Sequence, residues 1–243
     1  MKLKATCVAL GLLLCFGAVG CSAPVQEKTA GNASPSTQET QQSPSESVEK
    51  ATVSEFGWCS TPGKSYLDTG EYQYSVILQN PNASYDLRDI ALEVEGKDAQ
   101  GATVFVQEEV VPLIPAGDTC SYAGKVGGGI YAASLAFSVT GATSSDPSAP
   151  KIADLLAVEN AVENIGGTND MNYAGQVKAL GGLPEGFDKV KVCVVLRDKG
   201  DVLAAGYSVV IDAPAAGESV PFTAMAPGVP QHLFWEASAI PWK

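Results

Sequence analysis

One histidine, six cysteines and a scatter of carboxylates are what this chain offers for chemistry. His232 is the sole imidazole, so a zinc site of the usual His-rich type is excluded. A Ser-His-Asp arrangement would have to run through it, yet no Gly-x-Ser-x-Gly elbow accompanies it. Lying beside the last strand, just after Pro227 and Pro230, it reads as a surface residue in a turn. Glu93 with Glu95, and Glu108 with Glu109, are the carboxylate pairs that glycoside chemistry would need. Glu93 and Glu95 occupy alternate positions of an apolar–polar pattern, so they read as the solvated face of a strand. The oxygen-rich stretches TNDMN (168–172) and RDKGD (197–201) lack the alternating acidic pattern of a calcium loop and read as turns. GKVGGGI (124–130) lacks the Lys-Ser/Thr of a phosphate loop and suits a flexible crossing between sheets. The expectation is a chain without a catalytic set, cofactor or metal.

The cysteines divide by position. Met1–Lys4 supplies two positive charges, and Cys7–Val19 is apolar with small interruptions, the pattern of a secretory leader. That apolar run is shorter than the roughly 20 residues a membrane-spanning helix needs. It ends at Ala18-Val19-Gly20-Cys21, small residues before a cysteine, and resembles the lipobox of bacterial lipoproteins, with Ala18 where Leu is commoner. The resemblance implies acylation of the Cys21 sulfur, cleavage before it, and residues 1–20 as the leader. Residues 21–52 are then a lipidated cysteine and a tether. The tether is rich in Ser, Thr, Gln, Glu and Pro, so it cannot bury enough surface to offset ordering entropy. About 30 such residues reach on the order of 30 Å.

Cys59, Cys120 and Cys193 remain. Export into an oxidising space permits a bridge, and Cys59 with Cys120, in one domain, are the natural pair; free packed thiols are the alternative. The formal charge of −12 becomes −14 once Lys2 and Lys4 leave with the leader. A surface that acidic repels nucleic acid and anionic head groups, and it also keeps an exported protein soluble.

The elements that must position these residues come as an internal repeat. DIALEVEGKDAQGATVFVQEEVVPLIPAGDTCSY aligns with KVKVCVVLRDKGDVLAAGYSVVIDAPAAGESVPF. Ile90 pairs with Val190, Cys120 with Val220 and Leu135 with Trp235. Ile90, Leu92 and Val94 alternate with Ala91, Glu93 and Glu95, as in a half-buried strand, and Val190, Val192, Val194 and Leu196 repeat the period. Cys193 therefore belongs on the face opposite Val192 and Val194. KDAQG and RDKGD supply hairpin turns. About seven short strands per copy, with turns every ten residues or so, predict two tandem immunoglobulin-like β-sandwiches. They span 53–141 and 152–243, joined by a link at 142–151 that permits a hinge or a docked pair.

The strand ending in LQNPNAS, the LEVEGKDAQG or CVVLRDKG hairpin, the PAGDT or AAGES turn and the final amphipathic strand together resemble the FxLYD-type domain of bacterial lipoproteins. That family is related in shape to immunoglobulin-like and LEA14-type sandwiches. CVVLRD departs from the eponymous Phe and Tyr, and the second copy lacks NPN. The resemblance implies location and shape more than activity. The expected function is a non-catalytic binding or structural module, outward-facing and held to a bacterial membrane through Cys21. Its partner would be an envelope protein, surface protein or glycan. The alternatives are a small-ligand or metal-binding surface receptor, although no βαβ pattern of a two-lobed transport receptor is present, and, behind that, an enzyme with an unrecognised site.

Overall fold

The computed structural model describes residues 47–62, 68–167 and 170–243; the expected leader, Cys21 and most of the tether lie outside them. Within this body, residues 46–243 form one compact unit. The first half contributes β1 (Thr52–Pro62), β2 (Asp68–Gln79), β3 (Asp86–Lys97), β4 (Thr103–Ile114), β5 (Thr119–Val126) and β6 (Ser134–Ser145). A four-residue helix α1 (Ile152–Leu155) leads into β7 (Leu156–Gly167) and β8 (Asp170–Ala179). Then follow β9 (Lys189–Arg197), β10 (Leu203–Asp212), β11 (Ser219–Ala226) and β12 (Phe234–Trp242). Among the described residues each half has six strands, against the seven or so expected. Among the described residues no helix is long and apolar enough to cross a membrane.

The strands form four antiparallel sheets, ordered β1-β2-β5 and β4-β3-β6 in the first half, β7-β8-β11 and β10-β9-β12 in the second. The two orders are the same once the strand numbers are offset by six, so the duplication extends to topology. Its turns repeat atom for atom. Asp98 Oδ1 accepts the N–H groups of Gln100 and Ala102, and Asp198 Oδ1 accepts those of Gly200 and Val202. Gly117 and Gly217, both at positive φ, sit in the following turns where a side chain would be strained.

Alternation explains the cores. Tyr72, Tyr74, Val76 and Leu78 on β2 are fully buried against Ile90, Leu92 and Val94 of β3. In the second half Val190, Val192, Val194 and Leu196 face Val177, Tyr173 and Phe222. Each such side chain stabilises the fold by roughly 1.5–3 kcal/mol on burial.

Gln73 and Ser75 of β2, and Lys191, Cys193 and Val195 of β9, are buried too, because the halves stack through their second faces. Gly57, Ser75 and Ala123 make a row of small residues across β1-β2-β5, and β10 lies on that row. A Cβ on Gly206 would stand 2.6 Å from Ser75 Cβ, and one on Gly57 2.0 Å from the Leu203 carbonyl oxygen. Ser75 Oγ donates to the Ala205 carbonyl at 3.0 Å across the junction. On β9 the covered face carries Lys191, Cys193 and Val195, all buried. The link is fastened rather than free. Asp86, fully buried, accepts the N–H groups of Ser148 and Ala149, and Asp118 accepts that of Ile152.

Stacking is heterologous: the β2 face of the first half meets the β9 face of the second. The equivalent faces left over carry Glu93, Glu95 and Glu108 on one side and Asn172, Gln176 and Lys178 on the other. Charged and polar side chains there oppose continued stacking.

Candidate functional site

The structure keeps Glu93 and Glu95 on one face of β3 and separates Glu108 from Glu109. Glu93 and Glu108 are cross-strand neighbours on the outer face of β3-β4, whereas Glu109 turns to the junction and accepts the Tyr122 hydroxyl at 2.8 Å. Above that ring sits Lys191 of the other half, only 6% exposed, with Nζ 3.9 Å from the Tyr122 centroid and 4.6 Å from that of Trp242. Burial lowers the Lys191 pKa, an effect partly offset by Cys193 and Glu109. This cluster closes the seam between the halves.

The cysteines do not pair. Cys59, Cys120 and Cys193 are free thiols. Cys59 lies on β1 opposite Gln73 and Cys120 on β5 opposite Leu78, so β2 and a shift of several residues separate them. A disulfide needs Cα atoms within about 7 Å, so the expected Cys59–Cys120 bridge is not made. Cys120 faces the core, as its alignment with Val220 implies, and burial raises its pKa. Cys193 lies opposite Val192 and Val194, but its face is covered by the first half, and burial raises its pKa as well. Cys59 Sγ rests 3.7 Å from the Tyr207 hydroxyl.

His232 is the larger correction. It stands in the loop before β12, as a turn residue should, yet its side chain is only 11% exposed. Nε2 lies 2.8 Å from Glu163 Oε1 and Nδ1 lies 3.0 Å from the Pro230 carbonyl. The Tyr173 hydroxyl donates to the same Glu163 oxygen at 2.7 Å. Both ring nitrogens of His232 thus lie within hydrogen-bond distance of an oxygen, which fixes the orientation of the ring. Burial, then the Glu163 bond, raises the Tyr173 pKa, which keeps the hydroxyl a donor.

Of these three, His232 lines a groove of about 940 Å³, with Glu163 and Tyr173 bonded behind it. The β7–β8 turn contributes Ile165, Asp170 and Met171, the β9–β10 hairpin Asp198 and Lys199, and the β11–β12 loop Val229, Pro230 and Leu233. Ile165 and Leu233 are 83% and 65% exposed. Thr168 and Asn169, part of the TNDMN stretch, lie outside the described residues. Among the described residues no three His, Cys, Asp or Glu side chains are grouped to hold a metal.

Strand register shows why the groove belongs to one half only. Trp58 pairs with Tyr74 on β1-β2, and Glu163 pairs with Tyr173 on β7-β8. Glu163 therefore holds the place of Trp58, Met171 that of Tyr72, and His232 that of Ala132. In the first half this end is plugged. Trp58 packs edge-on against Tyr72 at 5.6 Å, and the Tyr72 hydroxyl donates to the Ala132 carbonyl and accepts its N–H. Gly127, at φ 111°, lets the loop lie against the Gly70 backbone, where a Cβ would stand 2.2 Å from the Gly70 oxygen. In the second half the aromatic plug is replaced by a hydrogen-bonded His–Glu pair and a thioether. Glu163, Tyr173 and Met171 escaped the sequence reading; the alignment that pairs Leu135 with Trp235 also pairs Ala132 with His232, and that mismatch was the available sign.

Compared with known protein families and with curated proteins, the chain matches none.

Proposed function

We propose that this chain is a bacterial lipoprotein, anchored through Cys21 and outward-facing, whose folded body is a non-catalytic binding module. The binding site is the groove at the loop end of the second half. The observation that carries this reading is the paired exchange of Trp58 and Ala132 for Glu163 and His232, which opens one end of a duplicated sandwich and closes its twin. Folding stability alone favours the plugged version, since burying a His–Glu pair costs desolvation that an aromatic avoids. A largely enclosed histidine beneath an exposed apolar rim of Ile165 and Leu233 fits the usual composition of a ligand site. The strand orders β1-β2-β5 and β4-β3-β6 are compatible with an immunoglobulin-like sandwich reduced to its A-B-E and C′-C-F strands, and so with the FxLYD-type resemblance.

Anchoring is tested by labelling cells with radioactive palmitate. Wild type is expected to incorporate label and Cys21→Ser to lose it; an unlabelled wild type refutes the anchor. Binding is tested on the Cys21→Ser chain with an uncharged apolar probe, 4-phenylbutanol. NMR resonances of Ile165, Met171 and Leu233 should move, and a Leu233→Glu chain should not respond. Shifts spread elsewhere, or none, refute the groove.

A further inference from the structure

We infer that the ligand of this groove is a small amphiphile with an apolar body and a positively charged amine, an assignment that rests on the groove being the binding site. The apolar part follows from the wall: Ile165, Met171, Val229 and Leu233 leave room within about 940 Å³ for a body of drug-like size. The charge follows from how the wall's acids are held. Asp170 spends Oδ1 on the N–H of Gly228, and Asp198 spends Oδ1 on the N–H groups of Gly200 and Val202. Each carboxylate is thereby fixed in direction, and its second oxygen has no partner among the described residues. Lys199 is the one lysine or arginine among the described residues of the wall, and the His232 imidazole beside it is bonded to Glu163. Behind it, Glu163 commits Oε1 to Tyr173 and His232 and keeps Oε2. The whole chain carries a formal charge of −12, so the long-range field adds to the local one. An anionic ligand would lose its hydration to face two fixed carboxylates; an amine would gain two acceptors already oriented.

The test uses three probes with one body, 4-phenylbutylamine, 4-phenylbutanol and 4-phenylbutyrate, titrated by NMR into the Cys21→Ser chain at neutral pH. The amine is expected to bind at least about tenfold more tightly than the carboxylate, with the alcohol between them. Asp170→Asn with Asp198→Asn keeps both Oδ1 acceptors, and so the turns, while removing the charges. In that chain the ratio should fall to about one, with alcohol binding unchanged. If the alcohol binds and the amine is no better than the carboxylate, the charge assignment is wrong while the groove stands. If the ratio survives the double substitution, these two aspartates are not the acceptors and the assignment falls. If no probe shifts the groove, the reading beneath it fails as well.

Discussion

Lys191 Nζ of the second half lies 3.9 Å from the centre of the Tyr122 ring of the first, a cation set on an aromatic face at the seam of a duplicated fold. The contact gains about 1–2 kcal/mol when desolvated, while removing an ammonium from water costs more unless paired. Neutral replacement of similar length should therefore be tolerated. Lys191→Met is expected to lie within about 1 kcal/mol of wild type or above it, and Lys191→Ala, which leaves a cavity, to lose about 2–3 kcal/mol in denaturant unfolding.

The same lysine gives a pH signature with a definite sign. Its folded pKa is lowered by burial, so between that value and the unfolded value of about 10.4 the unfolded chain binds the extra proton and stability rises with pH. Wild type minus Lys191→Met should show that rise on the alkaline side. Subtraction is needed because the buried tyrosines, with raised values, lose stability as pH climbs past about 10. A flat difference curve refutes the assignment.

Close approach of the halves depends on missing side chains. Gly57→Ala places a methyl 2.0 Å from the Leu203 carbonyl oxygen, a backbone atom that cannot rotate away. A loss of about 2–3 kcal/mol is expected. Gly181→Ala, where nothing stands within 4 Å, should stay within about 0.5 kcal/mol. Equal effects would show that the junction is looser than described.

Glu163 holds two donors with one oxygen. Glu163→Ala leaves the Tyr173 hydroxyl and His232 without their acceptor and should cost about 2 kcal/mol. With His232→Ala, the double-mutant cycle should return a coupling of about 1 kcal/mol. Additive losses would mean the pair is not an interacting unit.

Thiol accessibility separates the cysteines. Alkylation of the folded Cys21→Ser body without reductant should spare Cys120 and Cys193 and modify Cys59 slowly, since burial raises all three thiols and Cys59 is the least enclosed. After unfolding all three should label. A mass deficit indicating a bonded pair would contradict the free thiols.

The strands, hairpins and duplication were legible because each is local. Alternation along Ile90–Glu95 and Val190–Leu196 fixes which side chains share a face, and Asp98 and Asp198 with their following glycines fix where the chain reverses. Alternation cannot say what lies on the other face. Glu93 and Cys193 hold the same place in the repeat, yet one meets water and the other the first half. That outcome rests on Gly57, Ser75 and Gly206, residues far apart in the chain whose smallness matters only once they meet. His232 looked like a surface turn residue for the same reason: its acceptor, Glu163, is 69 positions away. Period and turn chemistry were settled by neighbours in sequence; burial of second faces, the free thiols and the groove were settled by neighbours in space, whose contacts form only when the chain has closed.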